Sequence, residues 1–371
     1  MPDGVRSSGL LLRLESEIAN AGSAAEAECK RAERAAYLAR LGRVDEATRA
    51  LRELQARNVA APHLETSIRV NLAEGLIAYY DNFGASTTDR VQRAHALSVA
   101  AGLTALRALS AAWLAQWAYA RLDLRVLAQH AREALQYAQP DDHAARSRAC
   151  LVVAQGLHFG GRPDLAKSWY ARSRMSAVSE GDDATVSAIM HNMAWLRMLS
   201  LRQATLTGQG AIDDGRFAML SATSTDQLDG MTGNASWDEL RPALRAQILS
   251  LQGDSAQAIK LYQAYAAATK SSDGPRAYAL ADQAWCHWSV GQRQEALHCA
   301  ESAMQRLAVE GELDDRAATH SRLAQLYAAA GDSAQSRQHA DAAAPAWRAH
   351  VQVQEQAVAL LSPLDQSGMS V

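Results

Sequence analysis

Five stretches of this chain share one spacing: an alanine, a glycine seven residues later, and a small residue five further on. They are AAYLARLGRVDEATRAL (35–51), AQGLHFGGRPDLAKSWY (154–170), AQILSLQGDSAQAIKLY (246–262), AWCHWSVGQRQEALHCA (284–300) and AQLYAAAGDSAQSRQHA (324–340). Their glycines are Gly42, Gly161, Gly253, Gly291 and Gly331. Glycine enters a left-handed turn without the penalty a Cβ incurs, so each copy predicts a helix, a tight reversal and a second helix. An aspartate lies just beyond the turn in four copies (Asp45, Asp164, Asp254, Asp332), where a helix start favours negative charge. The small residues (Ala35 with Ala47, Ala154 with Ala166, Ala246 with Ala258, Ala284 with Ala296, Ala324 with Ser336) let paired helices approach closely. Leu38, Leu157, Leu249 and Tyr327 are placed to fill the seam between them.

Composition agrees with helices throughout. Alanine dominates, while Pro (8) and Phe (3) are scarce, which points to an all-α fold. Weaker copies fill the gaps between the strong ones. AQWAYARLDLRVLAQHA (115–131) carries Asp123 at the turn and Ala128 five residues on, and residues 66–102 hold a further pair with YYDNFGASTT as a stretched turn. The interval from Gly161 to Gly253 exceeds two periods, which places an insertion within about 203–236, in TLTGQGAIDDG or LDGMTGNAS. The expectation is about eight helix pairs over residues 26–345. An N-terminal arm or capping helix (1–25) precedes them, and a capping helix after Pro345 with a frayed tail (346–371) follows.

The glycine-then-alanine turn resembles that of tetratricopeptide repeats, over roughly residues 26–345. The resemblance implies a right-handed α–α superhelix, a TPR-like solenoid. The sequence departs from the family in two ways. Its proline at the end of the second helix is missing in most copies, and 38 residues separate Gly253 from Gly291 where the family spacing is about 34. Linkers such as SAVSEGDDAT and AVEGELDDRA take up the difference.

Enzyme signatures are absent. There is no GxxxxGK(S/T), GxSxG, HExxH or CxxC; the GxG of GQGAIDDG follows no strand. No catalytic residue, cofactor or metal ligand is therefore expected. Cys286, His287, His298 and Cys299 flank one turn, but adjacent helical residues diverge by about 100° and cannot all converge, so packing is the favoured reading. The same holds for Met190, Met193 and Met198. With 37 Lys+Arg against 40 Asp+Glu, a net charge of −3, nothing draws the chain to nucleic acid or an anionic membrane. No apolar run approaches a membrane span. The four cysteines lack paired spacing and fit a reducing, cytoplasmic setting.

In tetratricopeptide arrays the first helices line a concave groove that receives a peptide. By that resemblance the groove here comprises aromatic anchors Trp113, Trp117, Trp195, Trp285 and Trp288, with Gln155, His158, His191, Asn192 and Gln247 as polar partners. The tryptophans are expected to be partly exposed. In MHNMAWLRMLS (190–200) two registers compete. A turn at Leu201 makes Ala194 the small residue and turns His191, Asn192, Trp195 and Met198 to the groove; a turn at Ser200 sends Met193 into the seam and Ala194 and Arg197 inward. The first is preferred, because it keeps Asn192 out of the seam. The function this implies is a non-enzymatic protein–protein interaction scaffold, adaptor or regulator that binds a partner peptide. The alternative is a sensor module for a small molecule or signalling peptide, since similar repeats precede output domains in bacterial signalling proteins such as diguanylate cyclases and transcription activators. No output segment of that kind is present in this sequence.

Overall fold

The computed structural model describes residues 8–60, 62–82, 88–209, 214–268, 275–308 and 312–366, and every regular element in them is a helix. In chain order these are α1 (Gly9–Ala19), α2 (Ala24–Arg40), α3 (Val44–Ala60), α4 (Leu64–Asn82), α5 (Thr88–Ala100), α6 (Thr104–Ala120), α7 (Leu124–Tyr137), α8 (His143–Phe159) and α9 (Pro163–Glu180). Then follow α10 (Asp183–Leu206), α11 (Asp214–Thr232), α12 (Arg241–Gln252), α13 (Ser255–Ala268), α14 (Ala277–Ser289), α15 (Arg293–Leu307), α16 (Leu313–Ala329), α17 (Ser333–Leu361) and the single turn α18 (Pro363–Gln366). None is long and apolar enough to cross a membrane.

The five glycine turns form as the spacing predicts. Gly42, Gly161, Gly253, Gly291 and Gly331 all have φ between 75° and 86°. Each turn closes by the same pair of backbone bonds. At the first, Gly42 N–H donates to Ala39 O and Arg43 N–H to Leu38 O, both at 2.9 Å. This is the Schellman arrangement, which satisfies carbonyls that a helix end leaves open. The carbonyls receiving the outer bond include those of Leu38, Leu157, Leu249 and Tyr327, so the seam residue and the turn acceptor coincide. In the sixth copy the left-handed residue is Leu122 (φ 54°), not Asp123. Asp123 stands one place later and its carboxylate caps α7 at the Val126 N–H. The stretched turn expected in YYDNFGASTT falls largely outside the described residues.

The small residues meet where expected. Ala35, Ala47, Ala154, Ala166, Ala246, Ala258, Ala284 and Ala296 are fully buried, and the Ser336 hydroxyl donates to the Ala324 carbonyl at 3.0 Å. Helices pair in chain order: α2 packs on α3, α4 on α5, α6 on α7, α8 on α9, α12 on α13 and α14 on α15. Ala194 and Met198 of α10 lie in one cluster with Ala218 and Ala222 of α11, and α16 meets α17 through Ala317, Ala318, Ala343 and Trp347. First helices also pack on the next first helix, as α2 does on α4, α6 on α8, and α14 on α12 and α16.

The chain forms two compact units. One comprises Met1–Ile189, Thr225–Ser236 and Gln356–Val371; the other comprises Met190–Ser224 and Trp237–Glu355. In the first, α1 lies against α2 and ties to the α9–α10 junction through Leu10 N–H to Gly181 O (2.9 Å). Ala235 N–H donates to Leu41 O beside the Gly42 turn, and Leu361 packs where a Cβ on Gly156 would collide with it.

Three expectations about element ends are corrected. Helix α10 runs without a break to Leu206, so no turn falls at Ser200 or Leu201. Ala194 occupies the seam and so does Met198, which is fully buried instead of facing outward, while Arg197 donates to Ser221 Oγ of α11 at 3.2 Å. Pro345 does not start a new capping helix but lies inside α17. The hydrogen bond it removes is tolerated because the next turn is anchored: Trp347 is buried and its indole N–H donates to Ser321 Oγ at 2.9 Å. The tail is not frayed throughout, since Leu364 is buried.

Gly42 and Gly161 share nearly the same φ, but they differ in surroundings. A Cβ on Gly42 would lie 2.7 Å from the Ala235 carbonyl carbon and the Ser236 nitrogen, whereas one on Gly161 meets nothing within 4 Å. Gly161→Ala therefore costs about 1 kcal/mol from the left-handed strain. Gly42→Ala costs that and at least ~1 kcal/mol more, read as the difference between the two urea unfolding midpoints.

Candidate functional site

The expected groove residues are mostly interior. Trp113 and Trp117 of α6 are 3% and 1% exposed, which corrects the expectation of partial exposure. The cause is aromatic packing: Trp117 lies 4.9 Å from the Tyr79 ring of α4 and 5.7 Å from Trp113, in a cluster with Leu72, Leu76 and Tyr80. Gln155 and His158 of α8 are buried, His158 Nδ1 lying 3.2 Å from the Tyr170 hydroxyl. In the other unit Gln247 is fully buried and accepts from Arg202 at 3.3 Å. His191 is buried between rings, 4.1 Å from Trp237 and 6.3 Å from Trp195, nearly parallel to both. Asn192, Trp195, Trp285 and Trp288 are half-buried. Trp285 and Trp288 share one cluster on α14, and Arg293 caps the Trp288 ring at 3.7 Å. Cys286, His287, His298 and Cys299 do not converge: Cys286 pairs with Ser250, His287 with Gln292, and His298 is exposed.

What the groove reading missed is charge. Three arginines are buried among the described residues: Arg148, Arg202 and Arg322. Arg202 donates to Asp314 at 2.8 Å and Asp315 at 3.1 Å, and Arg322 to Asp282 at 2.6 Å. Among the described residues Arg148 has no carboxylate within ion-pair distance, and Asp182, which pairs with Arg40, acts on it from farther away. The Arg148 guanidinium stacks 4.1 Å over Trp113 and reaches only Gln116 Oε1 and Thr185 Oγ1, both at 3.5 Å; its Nε–H finds no acceptor among the described residues. An arginine cannot shed its proton, so a buried one without a counter-charge is costly. Burial holds the Arg148 guanidinium below the usual arginine range, and Arg40 beside it acts in the same direction.

Arg40, at the end of α2, does have an acid. It donates at 2.5 Å to Asp182 and to Thr185 Oγ1. Asp182 is placed by its role at the start of α10, where it accepts from the Thr185 N–H at 2.9 Å. Burial favours its protonated form, and the Arg40 guanidinium outweighs that, holding the carboxyl below the usual carboxylate range. The group therefore sums two guanidiniums and one carboxylate, beside the rings of Trp113 and Tyr37. Such a place can accept one further negative charge, with an aromatic wall and a free N–H donor.

A sequence signal for this existed. Leu151, Gln155 and His158 form one stripe of α8, and extending it one turn toward the helix start reaches Arg148. The same step on α14 reaches Tyr278, whose ring lies 5.0 Å from the Arg202 guanidinium.

No family model matches the chain, and no curated protein is significantly similar to it.

Three measurements follow. Arg148→Met leaves the urea midpoint unchanged or raises stability by about 1 kcal/mol, because it removes an uncompensated charge. Arg322→Met lowers stability by about 3 kcal/mol, because it leaves the buried Asp282 carboxylate without its counter-charge, with the Tyr262 hydroxyl as its remaining donor among the described residues. His191 gives a pH dependence. Burial, with Arg241 adding to it, pushes its pKa from 6.5 down to about 3, so the folded ring stays neutral while the unfolded one takes up a proton below 6.5. The stability it contributes is complete above pH 6.5 and is lost as pH falls toward 3, by up to about 1.4 kcal/mol per pH unit. His191→Phe accordingly flattens the acid limb of midpoint against pH between 6.5 and 4; an unchanged limb contradicts the assignment.

Proposed function

We propose that this chain is a non-enzymatic binding module, a scaffold or regulator whose helix pairs stack in each unit as tetratricopeptide-like repeats with a right-handed coil. One observation carries the reading: Arg148 is buried on a first helix and, among the described residues, makes no ion pair, acting on Asp182 only at longer range where that carboxylate already pairs with Arg40, while the other two buried arginines each pair with a carboxylate. A partner peptide then supplies the missing charge through an acidic side chain or its terminal carboxylate. Gln155 suits a peptide partner, because its buried Oε1 lies on the same stripe of α8, has no hydrogen-bond partner among the described residues and can accept a peptide N–H. The enclosure of Arg148 favours a second reading, in which the charge arrives on a small carboxylate or phosphate and the module acts as a sensor for another protein.

Tryptophan fluorescence and calorimetric titration separate these. With Trp113 stacked on Arg148, acidic peptides quench or enhance emission and neutral versions do not. Arg148→Met weakens that binding at least tenfold, about 1.4 kcal/mol. A response to small carboxylates or phosphates alone selects the sensor reading. Binding of acidic peptides that Arg148→Met leaves unaltered overturns both.

A further inference from the structure

A second constellation lies away from Arg148, on the second helices. His95 is on α5, and His130 and Glu133 stand one turn apart on α7. One nitrogen of each imidazole and a Glu133 oxygen lie within 4.8 Å of one another, the one such group of three among the described residues. We propose that His95, His130 and Glu133 form a binding site for a divalent first-row metal ion, with zinc the best match to the ligand set.

The geometry carries the proposal. Tetrahedral zinc with ligands at about 2.0–2.1 Å places those ligands about 3.3 Å apart. Here His95 Nε2 lies 3.1 Å from Glu133 Oε1, and His130 Nδ1 lies 3.4 Å from Glu133 Oε2. The rings stand edge to face with centroids 5.6 Å apart, so their nitrogens approach a common point without the planes clashing. His130 Nδ1 is buried and makes no hydrogen bond, although it sits beside a carboxylate. A donor set of two imidazoles and a carboxylate is the combination that catalytic zinc sites use with a fourth position left open. All three residues are half-buried.

Arg107 sets the affinity. Its Nε donates to Glu133 Oε1 at 2.7 Å, and its guanidinium is held 3.7 Å over the Tyr137 ring. It orients the carboxylate as an outer-shell partner does, leaving Oε2 toward His130, and its charge opposes that of the metal. The site therefore binds more weakly than the same three ligands without an arginine.

The test uses the full chain, stripped with EDTA and dialysed against zinc sulfate. One zinc per chain is expected, along with a visible ligand-field band of tetrahedral intensity when cobalt(II) replaces zinc. His95→Gln and Glu133→Gln each lower zinc affinity at least tenfold while the far-ultraviolet circular dichroism is unchanged. Arg107→Met raises affinity, and this decides the matter if either of the other variants fails to fold. Less than one zinc per chain, no cobalt band, affinity kept by both ligand variants, or an Arg107→Met variant no tighter than the parent chain overturns the proposal.

Discussion

Five of the helix pairs depend on a contact between two small residues across a turn that only a left-handed residue can close. Glycine at φ near 80° returns the chain at once, and the two Schellman bonds fix the direction of return. Alanines at fixed distances on either side then bring the helices close enough for Leu38 or Leu157 to close the seam. Larger residues at those alanine positions would hold the helices apart and leave the turn strained. Leu122 marks how firmly the pattern is imposed, because a branched side chain accepts a left-handed φ there so that the same pair of bonds can form.

Close packing of this kind has an electrostatic consequence. Where first helices stack on one another, polar side chains on their shared stripe are enclosed, and each must find a partner. Arg202 and Arg322 find carboxylates contributed by neighbouring first helices, and Arg40 finds Asp182 at the start of α10. Arg148 rests on the Trp113 ring with two long contacts to neutral oxygens. A tolerated imbalance inside an otherwise matched set is where a binding module would place its recognition.

Pairing, turn chemistry and seam residues were legible because they follow from local backbone rules and a repeated spacing. The environment of the groove residues was not. Trp113 and Trp117 are on the stripe that the spacing assigns, but whether they face solvent depends on Tyr79 and Tyr80, which belong to the pair with the least regular pattern. Asn192 and Trp195 lie on a helix that continues past its expected turn, because no glycine stands there to end it. Arg148 lies on the same stripe as Gln155 two turns nearer the helix start, and nothing in its own sequence shows that Trp113 of a neighbouring helix encloses it. Pro345 misled in the opposite direction, since a residue that ordinarily stops a helix is carried through by the Trp347 anchor.

The most direct test of this account is an anomalous-scattering map of crystals soaked in selenate. An anion at hydrogen-bonding distance from the Arg148 guanidinium, with none at Arg202 or Arg322, is the predicted result. A carboxylate of the chain itself lying on Arg148, or an anion occupying all three arginines alike, would contradict the claim that one buried charge has been left for a partner.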